Sequence, residues 1–217
     1  MTTIYAISGL GADERVFNFV NTPYKIVVLK WLKPKCDESL AEYAIRLAEK
    51  INIKSDDVIL GVSFGGLIAV ELNKILNPIL TILVSSVETK NELRKIYRLS
   101  GKINFLKYLP ENCFKIPLKL AAFLFKAKNK KLLYSILKES DPGFIKWAMI
   151  KLLKWENEKK AVNCIKISGD RDYLMPVVKD EKTIIIRGGG HFMIVDRADE
   201  ISTIMNNKIQ EHFQFKN

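Results

Sequence analysis

Histidine and cysteine are scarce in this chain, with two His and three Cys in 217 residues. Cys36, Cys113 and Cys164 are odd in number, widely spaced and without a CxxC pair. That excludes a disulfide framework and makes a reducing cytoplasm the expected compartment. So few imidazole and thiolate donors leave no set for a zinc site, and no cofactor is expected. Long hydrophobic runs are missing too. The longest uninterrupted aliphatic and aromatic run in the middle of the chain, residues 120–125, falls far short of the roughly 20 residues of a membrane span. Residues 1–8 lack the basic start of a signal peptide, so neither export nor stable membrane insertion is expected. Any chemistry that needs histidine must use His191 or His212.

What is present is the balance of a globular protein: 48% apolar and 27% charged residues. Disorder, collagen-like repeats and coiled-coil rods are excluded on that ground. At about 150 residues per domain the length allows one or two units with a sizeable core. The net charge of +11 is uneven. Residues 87–160 hold 18 Lys/Arg against 7 Asp/Glu, whereas the remainder is balanced at 17 of each. A solvated basic face accounts for such a run, and so does attraction to an anionic substrate or lipid surface. No nucleic-acid motif accompanies it, so no nucleic-acid partner is expected.

Six short apolar runs, residues 4–8, 25–30, 57–62, 79–85, 163–168 and 183–187, are continuous rather than alternating. Strands buried on both faces of a parallel sheet read this way. Helical spacing occupies 39–50, with Ser39 as N-cap, then 64–76, stopped by Asn77-Pro78, and 191–212, with a break near 196–199. This alternation predicts a doubly wound α/β fold with a mostly parallel sheet. Residues 87–160 interrupt it as an all-helical insertion after the fourth strand, with helices expected over 88–99, 118–126, 130–138 and 142–155. The core is then 1–86 with 161–217.

Gly61-Val62-Ser63-Phe64-Gly65 is a G-x-S-x-G motif between a predicted strand and a predicted helix. A sharp strand-to-helix turn pushes such a serine above the sheet, and the crowded flanking positions must be small. Ser63 also stands at a helix N-terminus, where free N–H groups favour developing negative charge. A serine needs a base. His191 follows the sixth strand and three glycines, whereas His212 reads as an exposed helix residue. The base needs a carboxylate to orient it. Asp172 and Asp170 both follow the fifth strand; Asp170 reads better as a turn cap, and Glu88 is a distant third choice. An oxyanion hole would draw on the backbone N–H of Phe64 and of Leu10, the latter in the Ser8-Gly9-Leu10-Gly11 loop.

With these motifs in this order, the sequence resembles the α/β-hydrolase superfamily over essentially the whole chain apart from the insertion. The likeness rests on Leu10 in the glycine loop, Ser63 in G-V-S-F-G-G, Asp172 in G-D-R-D-Y-L-M-P and His191 in G-G-G-H-F. It implies a Ser-His-Asp triad, no metal, and a helical lid at 87–160. In two respects the chain departs from the pattern. Ser8 stands where the family has His, and the chain opens at the strand usually third. A six-stranded sheet in the order 2-1-3-4-5-6 is therefore expected.

The insertion carries Phe105, Tyr108, Phe114, Phe123, Phe125, Tyr134, Phe144, Trp147 and Trp155. Most are expected to pack the helices onto the core and a minority to line an apolar pocket. Lys126, Lys128, Lys130 and Lys131 are candidates for a basic rim, suited to an anionic head group. The expected activity is serine hydrolysis of a carboxylic ester or thioester of a small or acyl-chain substrate. Two alternatives use the same residues: a hydrolase-like protein that binds a small molecule, and carbon–carbon hydrolysis, lyase or acyl-transfer chemistry.

Overall fold

The computed structural model of the chain describes residues 2–35, 37–49, 51–100 and 104–214, with backbone alone at 100, 104 and 105. Cys36, the end of the 39–50 helix at Lys50 and the Phe105 side chain lie outside the described residues. Six strands form one sheet: β1 (Thr3–Ile7), β2 (Lys25–Val28), β3 (Val58–Val62), β4 (Leu80–Val84), β5 (Cys164–Gly169) and β6 (Thr183–Ile186). Their order is β2-β1-β3-β4-β5-β6, and every pairing is parallel rather than most of them. β3 and β4 are buried along their whole length, because helices cover both faces.

Successive side chains of a strand point to opposite faces. Ile4, Ala6, Val58, Leu60, Ile82 and Val84 accordingly join one core cluster, and Ile7, Ile59 and Leu83 the other. The second cluster packs on α1 (Leu40–Ala48) and α2 (Phe64–Leu76). Ser39 caps α1 in a reciprocal pair with Glu42, and Asn77 ends α2 in a left-handed conformation.

Between β4 and β5 lie α3 (Lys95–Ser100), α4 (Leu118–Leu124), α5 (Lys130–Glu139) and α6 (Pro142–Leu153). After β6 come α7 (Met193–Asp196) and α8 (Ala198–Gln214), separated at Arg197 within the expected break. The first cluster takes in side chains from α4, α5, α7 and α8, while Phe144 and Ala148 of α6 join the second. Among the described residues no helix is long and apolar enough to cross a membrane.

Two expectations for the insertion need correction. The 88–99 helix is a short 3-10 turn, Lys90–Glu92, followed by α3. Glu88 is drawn inward, fully buried, toward Lys166 of β5, and extended backbone at Leu93 breaks the helical path. The 142–155 helix stops at Leu153, and buried Trp155 instead donates its Nε1 hydrogen to Glu71 Oε1 at 2.8 Å. Of the insertion's aromatics, Phe114, Phe144 and Trp155 are buried, whereas Tyr108 and Phe123 are 76% and 59% exposed, Phe123 lying against Tyr173.

Lys166 sits inside the sheet with 1% of its side chain exposed. A buried ammonium needs compensation. Its Nζ lies 2.7 Å from Asp180, 3.0 Å from Glu92 and 3.4 Å from Glu88. Burial pushes the Asp180 carboxyl upward, but hydrogen bonds from Lys166 and Thr183 and the charges of Lys166 and Lys160 outweigh it and hold the pKa at about 2. A carboxylate depressed on folding stabilises the fold above its unfolded pKa, and that stability is lost as pH falls through the folded value. The melting temperature is therefore expected to drop as pH falls from about 4 toward 2. Asp180→Asn should flatten that slope; an equally steep acid slope in the variant would exclude this source.

Candidate active site

The strand order reverses direction at β1, so the chain leaves β1 and β3 on opposite sides of a crevice above their C-terminal ends, the usual position of a ligand site in such sheets. Ser63 occupies the single residue between β3 and α2. Its φ of 53° and ψ of −120° are strained for a residue with a Cβ, at about 1–3 kcal/mol. Neighbouring backbone enforces the turn: Ser63 N–H donates to Val84 O, Gly66 N–H donates to Ser63 O, and Ser86 Oγ donates to Ser63 O at 2.7 Å. A Cβ on Gly61 would lie 2.5 Å from Gly66 Cα and 2.7 Å from Ala69 Cβ, so the motif's first glycine cannot carry a side chain.

His191 stands in the loop between β6 and α7 and is 5% exposed. Phe192 N–H donates to Phe125 O at 3.1 Å, and the Phe125 ring meets the imidazole edge-on at 5.1 Å. Thus the loop is pinned to the segment that follows α4. The imidazole lies between two partners, with Nε2 2.8 Å from Ser63 Oγ and Nδ1 2.8 Å from Asp172 Oδ2.

Asp172 follows β5 and is buried. Its Oδ1 accepts from Leu174 N–H at 2.8 Å and Met175 N–H at 2.9 Å. Burial raises the carboxyl's pKa, but the neighbouring His191 and the two backbone donors outweigh it and keep Asp172 below the ordinary carboxylate value. It is therefore ionised at neutral pH. Asp170 is exposed and accepts from Gly188 N–H at 2.6 Å, which ties the two loops together. Glu88 does not approach His191; its carboxylate accepts from Ala161 N–H and faces Lys166. His212, half-buried rather than exposed, donates from Nδ1 to Lys208 O within α8.

The β1 loop comes close to the serine. A Cβ built on Gly9 would sit 3.3 Å from Ser63 Cβ. Ala12 N–H donates to Gly9 O, closing a turn with Gly11 at φ 70°. Ser8 Oγ donates to Ala12 O at 2.8 Å and accepts from Trp31 Nε1 at 3.0 Å. This serine therefore braces the loop from inside. Among the described residues the Leu10 and Phe64 backbone N–H groups have no hydrogen-bond acceptor.

Sequence reading missed two contributors. Trp31, just past β2, stacks obliquely on Phe64 and Phe144 at 5.8 and 5.0 Å and joins Tyr43 and Trp147 in an aromatic group beside the serine. Its place near the C-terminal end of a strand was the available signal. Arg94, in the insertion, donates from Nη2 to Asp172 O at 3.0 Å and from Nε to Leu174 O at 3.3 Å. Nothing local in the sequence marks it.

For a metal, Glu88, Glu92 and Asp180 are the carboxylates that lie within 4.8 Å of one another among the described residues. The Lys166 ammonium already stands among them, so the cluster is satisfied by an internal cation.

No protein-family model and no curated protein matches this sequence. Solved structures do resemble the fold. ClbQ from the colibactin NRPS/PKS pathway superposes with a TM-score of 0.67 at 17% identity, covering 99% of each chain. A thermophilic esterase from Thermogutta terrifontis gives 0.73 at 10% identity, over 98% of this chain and 90% of its own. A lipase-esterase related protein from Clostridium acetobutylicum gives 0.71 at 16%, over 95% and 93%. The chain has the α/β-hydrolase fold.

Proposed function

We propose that the chain is a serine hydrolase that cleaves a carboxylic ester or thioester of a small or acyl-chain substrate. The observation that carries this reading is the line from Ser63 Oγ through His191 to Asp172, two contacts of 2.8 Å, raised on a strained turn at a helix N-terminus. In the first step Ser63 Oγ attacks the acyl carbon while His191 Nε2 takes the hydroxyl proton. The ionised Asp172 holds the imidazole's other N–H and stabilises the imidazolium. The Leu10 and Phe64 amides receive the oxyanion, with α2 supplying its N-terminal dipole. Collapse expels the alcohol or thiol, protonated by His191. Water, deprotonated by His191, then attacks the acyl-serine and releases the carboxylic acid. The esterase and the lipase-esterase related protein among the similar folds support this choice of substrate bond.

In this reading residues 87–160 act as a lid over the core formed by 1–86 and 161–217. Support comes from the Phe125 contacts with His191 and Phe192, and from Asp196, which accepts the Lys128 and Asn129 backbone N–H groups. A cytoplasmic setting suits the free thiols of Cys113 and Cys164.

Intact-mass analysis after treatment with a fluorophosphonate tests the reading. One adduct of one phosphonyl group is expected, together with turnover in a panel of esters and thioesters. Folded protein that takes up no label would overturn it.

Arg94 is the positioning residue of this scheme, acting through the Asp172 loop. Arg94→Ala is expected to lower kcat roughly tenfold and leave KM nearly unchanged, because the loop that holds Asp172 loses its two bonds to the guanidinium. Arg94→Lys should restore kcat only in part, since lysine lacks the fork that reaches two carbonyls. A kcat equal to the wild type's in Arg94→Ala, or a loss shared equally by KM, would remove the positioning role.

A further inference from the structure

The carboxylates of the basic insertion are largely engaged. Glu88 and Glu92 face Lys166, Glu139 pairs with Arg15, and Glu156 and Glu158 pair with Lys90. Lys95 and Arg98 of α3 have no carboxylate partner among the described residues. Both line a cavity of about 640 Å³ where α3 meets the end of α6. That size falls within the roughly 300–1,000 Å³ of small-molecule sites. Leu99, Leu153 and Trp155 supply apolar wall. The Trp155 indole donates to Glu71 Oε1 at 2.8 Å, which fixes its orientation. Arg98 Nε is buried and has no hydrogen-bond partner among the described residues. The cavity is lined by apolar and basic side chains together with Asn91 and Glu156, whose carboxylate is paired with Lys90, so the guanidinium of Arg98 is left with a donor that calls for an acceptor.

We propose that this cavity is a second binding site, distinct from Ser63, for a small amphipathic anion. An alkyl or aryl body lies against Leu99, Leu153 and Trp155, and a phosphate or carboxylate accepts from Arg98 and Lys95. Guanidinium suits either oxyanion through its planar fork. Arg94 precedes Lys95 on the same segment but turns to Asp172 O and Leu174 O, so the site neighbours the triad loop without sharing its side chains. Lys126, packed against Gly190 just before His191, is engaged differently: its Nζ lies over the Tyr173 and Phe123 rings at 4.6 and 5.3 Å. It provides the control for anion binding near Ser63.

Calorimetric titration with octyl phosphate tests the site, with octanol and inorganic phosphate as comparisons. Octyl phosphate is expected to bind at least tenfold more tightly than either. Arg98→Ala and, at an exposed position that should not disturb folding, Lys95→Ala should each weaken it about tenfold, whereas Lys126→Glu should change it less than twofold. Absence of binding would overturn the proposal. So would octanol binding equally well, or affinity unchanged in both α3 variants. Loss of binding confined to Lys126→Glu would move the ligand to the Ser63 crevice and overturn the second site while leaving the hydrolase reading intact.

Discussion

Ser63→Ala is expected to abolish fluorophosphonate labelling and to lower turnover by roughly 10⁴- to 10⁶-fold, the range seen when a serine nucleophile is removed. The fold should survive. Alanine keeps the Cβ that the strained φ of 53° already accommodates, and the backbone bonds to Val84, Gly66 and Ser86 do not involve the hydroxyl. Only the 2.8 Å contact to His191 is lost. Melting temperature and circular dichroism should therefore match the wild type while the adduct disappears from the mass spectrum. A variant that still takes the label, or still hydrolyses at an undiminished rate, would remove Ser63 from the mechanism.

Gly65→Ala should instead destroy the framework. A Cβ there would overlap the backbone carbonyls of Ile7 and Ser8. Those atoms end β1, which is hydrogen-bonded to β2 on one side and β3 on the other and cannot retreat. Overpacking of a core usually costs about 1–3 kcal/mol, more where the obstacle is rigid backbone. At about 2–4 °C per kcal/mol for a chain of this size, a cost at the upper end of that range should lower the melting temperature by about 6–12 °C. Gly143→Ala is the matched control, since its new methyl meets the end of the Glu111 side chain at 3.2 Å, which can swing aside, and the capping Asp141 carboxylate at 3.3 Å, which need give only a few tenths of an ångström. Equal melting temperatures for Gly65→Ala and wild type would contradict the packing described for the elbow.

Much of this molecule is readable from composition and spacing, because the relevant physics is local. Strands buried on both faces must be continuously apolar, so the runs that became β1, β3, β4 and β5 declare themselves. The turn from β3 to α2 demands small residues on either side of Ser63, and that demand is written as G-x-S-x-G. Helix ends were equally visible, at Ser39 as an N-cap and at Asn77-Pro78 as a stop, and the structure adds the Ser39–Glu42 pair and the left-handed Asn77 backbone.

Other features depend on partners far away in the chain. Lys166 lies in an apolar run, and only the arrival of Glu88, Glu92 and Asp180 makes its burial tolerable. The same pull unwound the helix expected from residue 88. Asp172 and Asp170 differ by two positions, yet one turns inward to two backbone donors and His191 while the other stays in solvent. Trp31 and Arg94 reach the site from segments with no motif of their own.

What the sequence determined by itself is therefore the strands of a parallel sheet and the residue types able to act as nucleophile, base and acid, since these follow from periodicity and from the sterics of single turns, while the strand order was implied by the resemblance to the α/β-hydrolase superfamily. Tertiary structure alone decided what braces the β1 loop, that Arg94 holds the Asp172 loop, and where the insertion's excess charge lines a cavity. Those outcomes turn on contacts of about 3 Å between residues distant in the chain, 23 positions apart for Trp31 and Ser8 and 78 for Arg94 and Asp172, which no local pattern encodes.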